Sequence, residues 1–174
     1  IPDGLFSAFA TPAVLLLGIS KSGFGAGFGS LAVPLMAMSV SVPKAAAILM
    51  PLLLVMDLMG IHAFRRHVDW PLFRRLIPWA LLGTVIGTVL FGYLSAPVVA
   101  GIVGILTLLF PPRADSPAPP HWLGHLLTTT SGFTSFVAHA GGPPLNAYVI
   151  PLRLPPLLFT GTMAYMFFIS NLSK

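Results

Sequence analysis

Two residues suited to binding an anion stand beside glycines in the middle of long apolar segments. Lys21 precedes the glycine-rich stretch 22–29, and His139 precedes Gly141 and Gly142. A positive charge attracts an anion, a histidine can donate to an oxyanion, and backbone N–H groups at the start of a helix bind anions as well. The two stretches therefore predict an anion site with two walls. Its candidate substrate-binding residues are Lys21, Ser22, Gly23, Gly25, Gly27, Ser131, Gly132, His139, Gly141 and Gly142.

Several of these residues also have a structural interpretation that the sequence leaves open. Lys21 could extend to the membrane surface, and the glycines of the stretch 22–29, at GxxxG spacing, could allow two helices to approach closely. The hydroxyl groups of Ser22 and Ser131 could bond to a carbonyl one turn away. His139 could be an ordinary donor at a helix end.

Asp57 is the only acidic residue within an apolar segment of the chain. Intramembrane carboxylates usually face the interior of a helix bundle and are candidates for function. We interpret Asp57 either as the carrier of a coupling proton or as a member of a buried ion pair with Lys21, Lys44 or an arginine.

The composition places these residues in an integral membrane protein. The chain has 174 residues, of which 56% are hydrophobic and 7% charged, and its mean hydropathy is +0.91. Soluble domains carry about 25% charged residues. The net charge of +5 is concentrated in short clusters between apolar segments, which indicates membrane topology and not nucleic-acid binding. Because cysteines, metal-ligand spacings and a nucleotide-binding loop are missing from the sequence, we expect no metal, no cofactor and no enzymatic activity.

Six apolar segments predict an all-α, polytopic membrane fold, because about 20 apolar residues cross a bilayer as a helix. The segments are residues 5–40, 45–64, 76–93, 97–110, 122–150 and 154–172. The first and the fifth are interrupted, at 20–29 and at 140–144, so we expect discontinuous helices there. In the third, Gly83 and Gly87 have GxxxG spacing, which predicts close packing against another helix.

The interruptions also predict two internal repeats. The residue types at 22, 23, 24 and 34 recur at 131, 132, 133 and 143, at a constant offset of 109 residues. Residues 1–110 would form a first repeat of about four spans, the proline-rich stretch 111–121 a connector, and residues 122–174 a partial second repeat of about two spans. We therefore expect the chain to be incomplete. Paired interruptions in matching halves point to the central binding site of a transporter.

The basic residues predict the orientation of the chain. The loop 65–75 holds four arginines, so it should lie on the cytoplasmic side of a bacterial-type inner membrane. The N-terminus then lies inside if the segment 5–40 crosses once, and outside if that segment folds back as a re-entrant hairpin. The sequence leaves both arrangements open.

Two sets of motifs cover nearly the whole chain. The first is G-I-S-K-S-G-F-G-A-G at 18–27 and V-P-L at 33–35, continued by P-L-L-L-V-M-D at 51–57, R-R at 65–66 and D-W at 69–70. The second is S-G-F at 131–133 and A-H-A-G-G-P-P at 138–144, followed by Asn171 and Lys174. As a set, these motifs resemble those of the TauE/SafE sulfite exporter family, in which an asparagine and a lysine also follow the second motif. Family members normally continue through further spans.

The resemblance implies a membrane transporter that exports sulfite or an organosulfonate such as sulfoacetate, although some members are proposed to work in uptake. It also makes Asn171 and Lys174 candidate site residues. We expect an exporter that works by alternating access, with an uptake permease as the first alternative and a membrane scaffold without transport as the second. Its expected partners are the lipid bilayer and a small anion, with no nucleic acid, and the sequence leaves a homodimer open.

Overall fold

The computed structural model describes residues 4–21, 31–90 and 117–174, together with the single positions 93, 98, 101, 105, 108, 109 and 115. Its helices are α1 (Gly4–Lys21), α2 (Ala32–Met36), α3 (Val42–Phe64), α4 (Trp70–Leu90), α5 (His121–Ala138), α6 (Gly142–Val149) and α7 (Pro156–Leu172), with a 3-10 turn at Ile150–Leu152. No strand occurs within these residues, and the predicted all-helical fold is confirmed. The predicted site residues Ser22, Gly23, Gly25 and Gly27 lie outside the described residues, as does most of the segment 97–110.

Helices α3 and α4 contain stretches long and apolar enough to cross a membrane, Ala47–Phe64 and Trp70–Leu90, and α1 and α7 are shorter apolar helices. One face of α4 is buried in the protein, whereas Leu82, Val85 and Val89 on the opposite face are exposed. Soluble proteins rarely expose a large contiguous apolar patch. The outer face of α4 is therefore suited to contact with lipid.

Helices α4 and α5 pack closely and run parallel to each other. Contacting pairs advance together along both helices: Arg75 with His121, Trp79 with His125, Gly83 with Thr129, and Gly87 with Phe136. Gly83 and Gly87 are buried in this contact, which confirms the close packing predicted from their spacing. Both helices begin at the same end of the molecule. This end contains the loop 65–69, and we call it the arginine end.

Helix α7 also begins at the arginine end. Gly161, in its second turn, lies against the carbonyl of His67 in the loop between α3 and α4. Farther along, Ala164 of α7 faces Gly60 of α3, so the two helices are antiparallel.

The fifth apolar segment turns sharply after α5. His139 has a left-handed backbone with φ of 52°, a conformation in which histidine is enriched among residues other than glycine. The N–H groups of His139 and Ala140 donate to the carbonyls of Ser135 and Thr134 at 3.1 and 3.2 Å. The bond from His139 to Ser135 is that of an αL motif, which ends α5, and two prolines then follow at the start of α6.

After this turn, α6 runs back along α5. Gly141 faces Ser131 and Ser135 near the end of α5, whereas the ring of Tyr148 faces Gly124 near its start. The segment 122–150 is therefore a helical hairpin with its tip at 139–141, and not a discontinuous helix that crosses once. For the first interruption both arrangements stay open, because residues 22–30 lie outside the described residues.

Two apolar cores hold the helices together. One joins α1, α2 and α3 and includes Leu17, Met36 and Leu49. The other joins α4, α5, α6 and α7 and includes Leu76 and Tyr148. The hairpin is thus anchored along its length, which fixes the position of its tip.

Candidate functional site

Hydroxyl groups of α5 hold the tip of the hairpin. Ser131 Oγ donates to the carbonyl of Gly141 at 2.6 Å, and Thr134 Oγ1 donates to the carbonyl of Ala140 at 3.1 Å. Both side chains are buried. In this structure the hydroxyl proton of Ser131 positions Gly141 ahead of α6, and direct bonding of Ser131 to a substrate stays a prediction.

Gly132 lies in the contact between helices and away from the tip. It faces the carbonyl of Ala80 on α4 so closely that no side chain fits between them. In this structure Gly132 allows close helix packing, and its contact with a substrate stays a prediction.

Lys174 contacts polar groups of both α5 and α7. Its Nζ donates to Ser135 Oγ at 2.9 Å and to Asn171 Oδ1 at 2.8 Å, and lies 3.1 Å from His139 Nδ1. A lysine ammonium group donates hydrogen bonds and cannot accept them, so His139 Nδ1 is the acceptor and the proton of the neutral ring is on Nε2. We call Ser135, His139, Asn171 and Lys174 the tip cluster.

Asp57 is connected to the tip cluster through Asn171. Asn171 Nδ2 donates to Asp57 Oδ2 at 2.6 Å, while the oxygen of the same amide accepts from Lys174. Asp57 is 2% exposed and Asn171 is 4% exposed. One buried amide thus separates a carboxylate from an ammonium group. The amide nitrogen donates to the carboxylate, and the amide oxygen accepts from the ammonium group.

Of the ion-pair partners considered for Asp57, Lys44 lies too far away. Lys44 is exposed and precedes Asp57 by thirteen residues on α3, or about 20 Å along the helix axis. Lys21 ends α1, but its side chain lies outside the described residues. Its contact with Asp57 or His139 therefore stays a prediction.

The connected charges lie within the apolar part of the protein. Asp57 belongs to the stretch Ala47–Phe64 and precedes the end of α3 by seven residues, or about 10 Å. Asn171 donates a hydrogen bond to this buried carboxylate, and Lys174 brings a positive charge to the other side of the same amide.

The tip also offers backbone donors. Gly141 and Gly142 stand at the start of α6 and carry N–H groups, whereas the next two residues are prolines without them. The tip therefore joins a lysine, a histidine and the positive end of a helix dipole, which together suit an anion. Among the described residues, no group of three or more His, Cys, Asp or Glu side chains could hold a metal ion.

The hairpin and the tip cluster fall within a region shared with a known family. The family model described as Sulfite exporter TauE/SafE matches residues 10–174. The chain belongs to the TauE/SafE family. This is a family of integral membrane transporters of sulfur anions such as sulfite, and not of enzymes. Neither a curated protein nor a solved structure matches the chain.

In this TauE/SafE protein, Ser135 is the member of the tip cluster that the sequence does not single out. It lies one turn after Ser131 on the same face of α5 and four residues before His139, which caps the end of that helix. This helical spacing is the signal that could have identified it. Asn171 and Lys174, which only the family resemblance suggests, both belong to the cluster.

Proposed function

We propose that this TauE/SafE protein exports sulfite, or a small organosulfonate such as sulfoacetate, across the cytoplasmic membrane by alternating access. The observation that carries the proposal is the tip cluster, in which Lys174, His139 and Ser135 converge beside the start of α6. The oxygens of a sulfite or sulfonate group suit several converging donors.

Lys174 would be the main contact of the anion. Its ammonium group bonds to neutral atoms of Ser135, Asn171 and His139. A sulfite oxygen would replace one of these neutral acceptors by a charged one, which adds attraction between opposite charges to the hydrogen bond. The N–H groups of Gly141 and Gly142 would bind the other oxygens at the positive end of α6.

Asp57 would couple binding of the anion to a proton. Asp57 is buried and linked to Lys174 through one amide, so a change in the contacts of Lys174 reaches the carboxylate directly. The proton would compensate the charge that the anion brings into the site. Asn171, which contacts both groups, would transmit the change.

The opposite wall of the site would come from the first interruption. Lys21 would face His139, and Ser22, Gly23, Gly25 and Gly27 would add donors. Movement of one repeat against the other would open the site to each side of the membrane in turn. The segment 65–75, which comprises the loop 65–69 and the start of α4, would lie on the cytoplasmic side, because it carries the densest group of arginines.

Transport of labelled sulfite and sulfoacetate into proteoliposomes tests the proposal. Lys174→Ala should reduce transport about 10- to 100-fold, the range expected when a hydrogen bond from a charged group is lost. Lys44→Ala is the matched control, because it removes the same charge from an exposed position on α3 and should keep the wild-type rate.

The outcomes separate the parts of the proposal. If neither anion moves faster than in protein-free liposomes, the transport function is wrong. If Lys174→Ala transports at the wild-type rate, the tip cluster is not the site. Labelled substrate supplied on one side of vesicles with known orientation distinguishes export from uptake.

A further inference from the structure

A recess opens where α4 begins, beside the segment that joins the 3-10 turn to α7. It has a volume of about 270 Å³ and is lined by Asp69, Pro71, Leu72, Arg75, Leu152 and Leu154. Four of the six lining residues are apolar, and Arg75 brings a positive charge to them. The recess is thus suited to a molecule with one apolar part and one anionic part.

Asp69, the acidic residue of the recess, forms hydrogen bonds within the protein. Asp69 Oδ1 accepts from the backbone N–H of Leu72 at 3.0 Å and so caps the start of α4. The backbone N–H of Asp69 donates to Thr162 Oγ1 at 2.9 Å, which fixes the residue against α7. Its negative charge is therefore directed at the helix end.

The charge of Arg75 is available to a ligand. Arg75 is exposed, and its Nη1 lies 3.1 Å from Nδ1 of His121, at the start of α5. A guanidinium group only donates, so the histidine ring nitrogen is a neutral acceptor. This contact orients the guanidinium group but does not neutralise it.

The surrounding helix ends add positive potential. Helices α4, α5 and α7 all begin at the arginine end, and none of the three has an acidic residue in its first turn. The residues that precede α5 and α7 are Pro120 and Pro155, which form no side-chain cap. The positive ends of the α5 and α7 dipoles are therefore uncapped at this region, whereas Asp69 caps α4. The exposed arginines of the arginine end are Arg65, Arg66, Arg74, Arg75 and Arg153.

Exposed aromatic residues place the recess at the level of the membrane surface. Trp70 and Trp122, the first residue of α4 and the second of α5, are 43% and 65% exposed. Tryptophan is enriched where a membrane protein meets the headgroup region of the bilayer. Lipid headgroups are therefore the anions that this region meets at the highest concentration.

We propose that the recess binds an anionic phospholipid, with its phosphate on Arg75 and its glycerol and upper acyl carbons on Leu152 and Leu154. The combination of apolar walls with one basic residue selects the lipid over a free anion, which would gain nothing from the leucines. The proposal is independent of the transport function, because none of the lining residues belongs to the tip cluster.

Lipid retention by two matched variants tests this site. Wild type, Arg75→Gln and Arg74→Gln are placed in bilayers of phosphatidylcholine with a minor fraction of phosphatidylglycerol, extracted in neutral detergent, and analysed by native mass spectrometry. Arg74 is exposed and adjacent in sequence but does not line the recess. Wild type and Arg74→Gln should retain phosphatidylglycerol selectively, and Arg75→Gln should retain about fivefold less, as expected for one basic residue at an anionic surface.

Three results would overturn the proposal. They are equal retention by the two variants, no preference for phosphatidylglycerol over phosphatidylcholine in the wild type, and displacement of the lipid by inorganic phosphate, which would make the recess a free-anion site. Equal thermal midpoints of the two variants in phosphatidylcholine alone show that a difference in retention does not come from unfolding.

Discussion

At the scale of single residues, Asn171 determines how Asp57 and Lys174 coexist inside the protein. Asn171 Nδ2 bonds to the Asp57 carboxylate at 2.6 Å, and its oxygen accepts from Lys174 at 2.8 Å. Removing one partner of a buried charge is strongly destabilising, because the remaining charge stays out of water without compensation. A leucine has the same branching and the same number of side-chain heavy atoms, and it would break both bonds.

We predict that Asn171→Leu lowers the free energy of unfolding by about 2 kcal/mol, the penalty of an unsatisfied buried polar group. Most of this loss should disappear when Asp57→Asn is also present. The asparagine at position 57 is neutral, so no buried negative charge is left without a partner. A double-mutant cycle on unfolding in one detergent measures the coupling, which we expect to be about 1–2 kcal/mol. Ser173→Ala, at an exposed neighbouring position, is the control. Additive losses would show that Asp57 and Asn171 do not interact.

At the scale of helices, the contact between α4 and α5 depends on residues without side chains. A Cβ at position 132 would collide with the backbone carbonyl of Ala80, which cannot move without shifting α4. A Cβ at position 18 of α1 would meet only the flexible end of Met56, at 3.9 Å. The same substitution should therefore have opposite effects at the two positions.

Gly132→Ala should lower the free energy of unfolding by about 1–3 kcal/mol, as overpacking does. Gly18→Ala should leave it unchanged or raise it by up to about 1 kcal/mol, because alanine favours a helix over glycine. Thermal unfolding of both variants in the same detergent measures the difference. A similar shift for both would mean that α4 and α5 are not in close contact.

The interruption at 140–144 shows how far the sequence can predict the arrangement of helices. Glycines followed by prolines end one helix and start another, so the interruption itself is predictable. The same residues fit a helix that continues and a helix that turns back. The direction of α6 depends on the left-handed backbone of His139 and on the packing of Tyr148 against Gly124, which are tertiary features.

The tip cluster shows the same limit for the candidate site. The burial of Asp57 is predictable, because a carboxylate within an apolar segment must avoid lipid. Its partner Asn171 lies 114 residues away, and no local pattern specifies a contact over that separation. Residue types at an interruption therefore predict that a site exists, whereas the fold decides which residues complete it.

At the scale of the whole molecule, the hairpin determines the side from which α7 starts. Because α6 returns along α5, the segment around Arg153 lies at the arginine end, together with the loop that contains Arg66. A single crossing by the segment 122–150 would place Arg153 on the opposite side of the membrane. The start of α3, at Ser41, lies at the far end of that helix from the loop.

Single cysteines can report this arrangement without background, because the chain contains no cysteine. Arg66, Arg153 and Ser41 are all exposed. We predict that Arg66→Cys and Arg153→Cys react with a membrane-impermeant maleimide from the same side, and that Ser41→Cys reacts from the other. Labelling of intact cells and of inside-out vesicles measures the side for each variant. If Arg153→Cys reacts from the same side as Ser41→Cys, the hairpin is wrong. If Arg66→Cys reacts in intact cells, the predicted orientation is wrong but the hairpin is not contradicted.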